Sequence, residues 1–309
     1  MGFKHKKQLQ FESPMDWSQL MKSVELLSSK YEFLTVLELG KSILGKSIPL
    51  LRIGQGRRSA LYVGSHHGME WITSMILLLF VDELCQAFHQ KRTMFHQSIP
   101  LMLEQYTVTV IPMLNPDGVD YQIHGITPEN PLYNRVLSMN RGNHDFSRWQ
   151  ANARGVDLNH NYDAGFREYK QMEAEKGIPC GAPTLYSGQE PESEPEVRAL
   201  CDYIRFQRDL RLVLTLHTQG EELFYKSHGY LIEGTQASVE KLSSLTGYHL
   251  SEATGTAAFG GLTDWCITKQ QIPSITMECG KGVNPLPSSS LFPIYSRIRE
   301  ALFLAPTLF

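Results

Sequence analysis

Apolar and polar positions alternate along this chain in two recurring patterns. Short runs dense in aliphatic and β-branched residues are followed by longer stretches with apolar residues three and four apart. "SALYVGS" (59–65) predicts a buried strand, and "YTVTVIPML" (106–114) a β-branched one. "LRLVLTLH" (210–217) and "SITMEC" (274–279) are two more apolar runs of strand length. "WITSMILLLFVDELCQAF" (71–88) predicts a helix with Ile72, Met75, Ile76, Leu79 and Leu84 near one face. "SEPEVRALCDYIRF" (193–206) opens on Ser193-x-x-Glu196, a capping-box signature that predicts a helix start. Such alternation predicts an α/β fold, a sheet covered by helices on both faces. No repeat, low-complexity linker or compositional break divides the chain. Residues 1–309 are therefore expected to form a single domain, with residues 1–13 as a flexible N-terminal arm.

Composition narrows the functional classes. The chain has 309 residues, 42% of them hydrophobic, enough for a large core. A net charge of −3 gives no electrostatic footprint for nucleic acid or a membrane surface. The five cysteines, Cys85, Cys180, Cys201, Cys266 and Cys279, are scattered, odd in number and without a CxxC pair. Isolated buried thiols are expected rather than a disulfide framework. The opening "MGFKHKKQLQFESP" lacks the apolar run of a signal peptide. The longest apolar run, "MILLLFV" (75–81), is shorter than the roughly 20 residues that span a bilayer. The expectation is a soluble cytoplasmic protein with neither nucleic-acid nor membrane partners.

The candidate chemistry collects at strand ends. His67 follows one predicted strand, His217 ends another and Glu278 lies at the end of a third. Open α/β sheets bind ligands outside the carboxyl ends of their strands, so these distant residues are placed to meet in one crevice. An H-x-x-E pair alone is weak evidence, because a chain of this size shows about one by accident. There are two here. His249-x-x-Glu252 runs into a Gly/Ala-rich loop and is expected to be a solvated surface pair. His67-x-x-Glu70 has a stronger setting: a buried strand leads to a glycine turn, and Glu70 opens a long helix. Zinc takes His nitrogen and carboxylate oxygen, and catalytic sites use three protein ligands. His217 is the candidate for the third.

"GSHHGMEW", "VIPMLNPDGVDY", "ANARGVDLNHNYDAGF", "SEPEVRAL", "LHTQGEE" and "IPSITMECG" occur in this order. The series resembles the zinc metallocarboxypeptidase family and covers about residues 40–280. The resemblance implies a mixed, twisted central sheet of about eight strands between helices. It implies one Zn2+ per chain on His67, Glu70 and His217, with His66 a neighbour lining the pocket. Zinc would polarise the scissile carbonyl and activate water. Glu278 matches the family's general base. Asp157 matches the carboxylate that hydrogen-bonds a ligating histidine, here His67. Arg148 is the choice for stabilising the oxyanion, with Arg141 and Arg154 nearby.

Two departures bear on substrate. The carboxypeptidases of this family carry Asn-Arg where this chain has Asn159-His160, and that arginine clamps the substrate's terminal carboxylate. Histidine cannot make this fork and is mostly uncharged at neutral pH. The stretch "TGTAAFGGLTDW" also lacks the tyrosine that digestive members carry a few residues before the Gly-Gly pair. Together with "LHTQGEE", these features resemble the bacterial γ-D-glutamyl-diaminopimelate peptidase branch, which cuts stem peptides of peptidoglycan. The implied partner is a murein stem peptide, held by Asn159, His160 and Asp264, with Asp264 on the diaminopimelate amine. The alternatives are a zinc carboxypeptidase acting on ordinary or modified C-termini and a related N-acyl amino acid deacylase. A non-catalytic binding module is the fourth reading, and retention of Glu278 and all three ligands weighs against it.

Overall fold

The structure, a computed structural model, describes residues 9–309. The first eight residues of the expected 1–13 arm lie outside the described residues, while Leu9 and Phe11 pack against the larger core. The chain folds as one α/β domain around a mixed eight-stranded sheet. Its strands are β1 (Thr35–Lys41), β2 (Ser47–Ile53), β3 (Arg58–Val63), β6 (Tyr106–Ile111), β7 (Leu210–His217), β8 (Glu222–Phe224), β9 (His249–Ser251) and β10 (Ser274–Glu278). A separate two-stranded ribbon joins β4 (Thr93–Met94) to β5 (Gln97–Ser98). The order across the main sheet is β1-β2-β6-β3-β7-β10-β8-β9. Its centre, β6-β3-β7-β10, is parallel throughout, so these strands end along the same edge.

The apolar runs explain why this centre is buried on both faces. Ala60 and Tyr62 point into one core, and Leu61 and Val63 into the other. A parallel strand covered on both sides reads as continuous hydrophobicity, and 60–63 does. The first core is closed by α1 (Trp17–Lys30), α2 (Ile72–His89) and the final helix α10 (Leu291–Leu308), with Tyr62 donating its hydroxyl to the Leu302 carbonyl at 2.7 Å. The second is closed by α7 (Pro195–Phe206) and the short α9 (Leu262–Trp265). The remaining helices are α3 (Ile99–Gln105), α4 (Pro116–His124), α5 (Tyr133–Met139), α6 (Phe166–Glu175) and α8 (Gln236–Thr246).

Four local expectations change. Helix α2 is buried nearly all round rather than along one face, and Leu79 is only partly buried. Among the described residues it alone is long and apolar enough to cross a membrane, and 67% of it is covered inside the domain. Strand β6 stops at Ile111 because Pro112 has no N–H for the ladder. The Ser193 capping box does not form. Pro195 takes the first turn of α7, the Glu194 amide bonds Asn161 Oδ1, and Glu196 turns inward to the Ile43 N–H at 3.2 Å. Four of the five free cysteines are buried as expected, but Cys180 is exposed. The second H-x-x-E begins on the outer strand β9, with His249 and Glu252 both exposed and Glu252, just past the strand, accepting from the Gly229 amide.

Candidate metal centre

Strands β3, β7 and β10 deliver the candidate residues to one edge of the sheet. Glu278 and His217 are register partners at the ends of β10 and β7. His67 lies four residues past β3 and opens the 3-10 turn Gly68–Glu70. That turn is pinned from outside: the Gly68 N–H bonds the Gln150 carbonyl at 2.8 Å, and the "NPDG" helix α4 packs against it. Asn115 caps α4 through the Gly118 amide and donates to the His66 carbonyl at 2.9 Å. The turn is thus held by two segments remote in sequence, 115–124 and the one that carries Gln150.

His67, Glu70 and His217 are all buried, and one donor atom from each lies within 4.8 Å of the others. Nδ1 of His67 is 2.9 Å from Glu70 Oε1, Nδ1 of His217 is 3.0 Å from Glu70 Oε2, and the two Nδ1 atoms are 3.3 Å apart. Glu70 Oε2 and His217 Nε2 are nevertheless buried without a hydrogen bond. Convergent nitrogen and oxygen lone pairs, with buried polar atoms unsatisfied, fit a metal cation, and two imidazoles with one carboxylate are a donor set that zinc takes. On the far side of His67, Nε2 donates to Asp157 Oδ1 at 3.1 Å, and Asp157 Oδ2 accepts from the Leu185 amide at 3.1 Å.

The electrostatics follow from burial and proximity. Burial pushes the Asp157 carboxyl up, but His67, His160 and the Leu185 amide outweigh it and hold it well below the usual carboxylate range. Burial likewise opposes ionisation of Glu70, and the two flanking imidazoles bring it down to about 2. His67 is driven the other way: burial lowers it, and the two carboxylates raise it well above the ordinary imidazole value. Glu278 sits against negative charge. Burial first, then Glu70, then its β8 partner Glu222 push it up to about 8, opposed by His67.

The other expected residues have different surroundings. His66 does not line a pocket. It is fully buried, with Nε2 at 2.9 Å from the Tyr162 hydroxyl and Nδ1 at 3.2 Å from the Thr215 hydroxyl. Arg148 is exposed and donates to the Asn284 carbonyl at 2.6 Å, on the loop after β10. Asn284 also bonds Thr218, the neighbour of His217. Arg154 is tied to buried Glu194 at 3.1 Å, and Arg141 lies exposed in a turn. Asn159 and His160 belong to the short turn that Asp157 begins, and Asn159 Oδ1 accepts from the Leu262 amide at 3.1 Å. Asp264 is 7% exposed, and burial raises its carboxyl to about 6 against the pull of Ser227 and His228.

Comparison with known proteins places this arrangement. Residues 20–301 match the family model described as zinc carboxypeptidase. The γ-D-glutamyl-L-diamino acid endopeptidase 1 of Lysinibacillus sphaericus is 33% identical over 292 residues, 94% of this chain and 71% of that protein. Among solved structures, thrombin-activatable fibrinolysis inhibitor superposes with a TM-score of 0.73 at 20% identity, covering 98% of this chain and 75% of that one. The murein-tripeptide amidase MpaA of Escherichia coli O157 superposes at 0.53 with 21% identity, covering 88% and 91%. The likeness to the L. sphaericus enzyme and the span of the family match carry the same conclusion: the chain belongs to the zinc carboxypeptidase family and is a zinc metallopeptidase.

Proposed function

We propose that this peptidase hydrolyses the amide between the γ-carboxyl of D-glutamate and diaminopimelate in murein stem peptides. The observation that carries the reading is His160 in place of a carboxylate-clamping arginine, in a chain 33% identical to a γ-D-glutamyl-L-diamino acid endopeptidase. When bound, zinc supplies Lewis-acid polarisation of the scissile carbonyl and lowers the pKa of water at the site. His67 and His217 present Nδ1 and Glu70 its carboxylate to hold it. Asp157 accepts a hydrogen bond from the Nε2–H of His67, which leaves Nδ1 as the lone-pair atom and fixes the ring. Glu278 receives the proton of the attacking water and returns it to the leaving nitrogen. Arg148, bonded to Asn284 on the loop after β10, meets the developing oxyanion. Asn159, His160 and Asp264 form the wall against which the substrate rests.

The test incubates zinc-loaded protein with L-Ala-γ-D-Glu-meso-diaminopimelate and, separately, with a blocked dipeptide ending in Phe or Lys. Product masses are read for both, with E278Q as the control. Release of diaminopimelate from the first substrate alone, absent in the control, is the expected result. Cleavage of the blocked dipeptide instead would make the protein a carboxypeptidase of ordinary C-termini and overturn the substrate assignment.

A further inference from the structure

His160 is held in one orientation and one tautomer. Its ring stacks on Tyr169 with centroids 4.2 Å apart and planes 20° off parallel. Its Nδ1 lies 2.9 Å from the Phe259 carbonyl, an oxygen that only accepts, so the neutral ring carries its proton on Nδ1. Nε2 is therefore the lone-pair atom, and among the described residues the ring's one hydrogen bond is that of Nδ1. The residue is partly exposed and closes the turn begun by Asp157, the carboxylate that holds His67. Across from it stands the Phe259–Gly261 segment, whose Gly260 packs against the His160 backbone.

We infer that His160 is a specificity-determining residue whose Nε2 accepts a hydrogen bond from a substrate ammonium. This rests on the reading of the site as one for γ-D-glutamyl-diamino acid amides. The chemistry is complementary at each point. An imidazole lone pair repels carboxylate oxygens, which are also acceptors, and binds an N–H donor, most strongly a charged one. The packing that fixes the ring removes its freedom to swap donor for acceptor by flipping. Burial also lowers the His160 pKa below that of a free imidazole, against the pull of Asp157, so the acceptor form prevails at neutral pH. Stem peptides offer two ammonium groups, one on the distal centre of diaminopimelate and one on the terminal alanine.

The experiment compares three substrates: L-Ala-γ-D-Glu-meso-diaminopimelate, its N-acetyl derivative, and the analogue carrying 2-aminopimelate, which lacks the distal amine. kcat and KM are measured for the zinc-loaded wild type, H160F, H160Q and H160R, with zinc content and melting temperature recorded for each. The wild type is expected to lose about tenfold or more in kcat/KM, mainly through KM, on the 2-aminopimelate substrate. H160F is expected to abolish that difference, H160Q, which keeps an acceptor oxygen, to restore part of it, and H160R, a donor without a lone pair, to abolish it as H160F does. A wild-type loss confined to the N-acetyl substrate, abolished in H160F, would keep the inference and move the contact to the alanine ammonium. Equal wild-type turnover of all three substrates, or H160F lowering all three alike, would overturn this inference while leaving the proposed reaction intact. Cleavage of none would remove both.

Discussion

The imidazole of His66 lies over that of His217, with ring centroids 5.2 Å apart and planes 27° off parallel. The two candidate ligand histidines are held differently. Asp157 fixes His67 by a hydrogen bond, whereas His217 Nε2 has no partner among the described residues. The stack takes over that task, and His66 is itself fixed at both ring nitrogens by Tyr162 and Thr215.

Replacing His66 with leucine is therefore expected to weaken zinc binding about tenfold, the scale seen when a supporting partner of a metal ligand is lost. H66F keeps a flat ring over His217 and is expected to recover most of the affinity, although it strands the Tyr162 and Thr215 hydroxyls and destabilises by about 1–3 kcal/mol. Zinc affinity by chelator competition separates these effects from stability. Equal affinity in H66L and wild type would show that the stack positions nothing.

Gly68 carries a different constraint. A Cβ there would lie 2.4 Å from the Gly118 carbonyl oxygen and 2.8 Å from that of Trp149, both backbone atoms. The turn holding His67 and Glu70 must then move as a unit. G68A is expected to destabilise the protein by about 1–3 kcal/mol through overpacking and to lower zinc affinity with it. Thermal melting with and without zinc checks both, and a G68A protein with wild-type zinc affinity would show that the turn yields without disturbing the donors.

Glu196 gives a pH signature away from the metal centre. Burial, then Glu194 and Asp117, raise its carboxyl to about 8, against the Ile43 amide, from an ordinary value of 4.5. A carboxyl raised on folding favours the folded state while protonated. Its contribution is full below pH 4.5 and is lost as pH rises through about 8. E196Q stays neutral throughout, so its melting temperature relative to wild type is expected to rise across that window. A difference that stays flat between pH 5 and 9 would place the charge elsewhere.

Much of the site was legible because its spacing and its strand ends are local signals. His67 and Glu70 are three apart, and His217 and Glu278 each finish an apolar run, so the parallel order of β3, β7 and β10 alone brings them together. The supporting partners left no such trace. Tyr162 lies 96 residues from His66, and Thr215 lies 149 away. Asn152 and Glu194, which bond at 2.7 Å, are common polar types 42 apart. The Ser193 signature shows the converse: a valid local motif lost to a proline at the first turn and to Asn161 reaching in from another loop. Ser65, in the left-handed region at φ 48°, is likewise invisible in sequence, although its hydroxyl ties the turn to Ser74 at 2.7 Å.

Glu278 is where function and stability pull apart. Its side chain is partly buried, makes no hydrogen bond among the described residues, and faces Glu70 and, across the β10–β8 pair, Glu222. Like charges opposite one another in a sheet are destabilising, and burial adds to that cost. The carboxyl is accordingly raised to about 8 from 4.5, so the stability it lends is complete below 4.5 and lost as pH rises through about 8. Glutamine has the same shape and no charge. E278Q is expected to bind zinc, to lose about 100-fold or more in kcat because proton transfer is gone, and to melt higher than wild type at pH 8 when both are metal-free. That last result is what distinguishes a carboxylate kept for its chemistry from one kept for packing, since a packing residue would lower the melting temperature when altered. A metal-free E278Q that melts lower than wild type at pH 8 would mean that Glu278 has a stabilising partner, and its place as the proton carrier would lose its physical support.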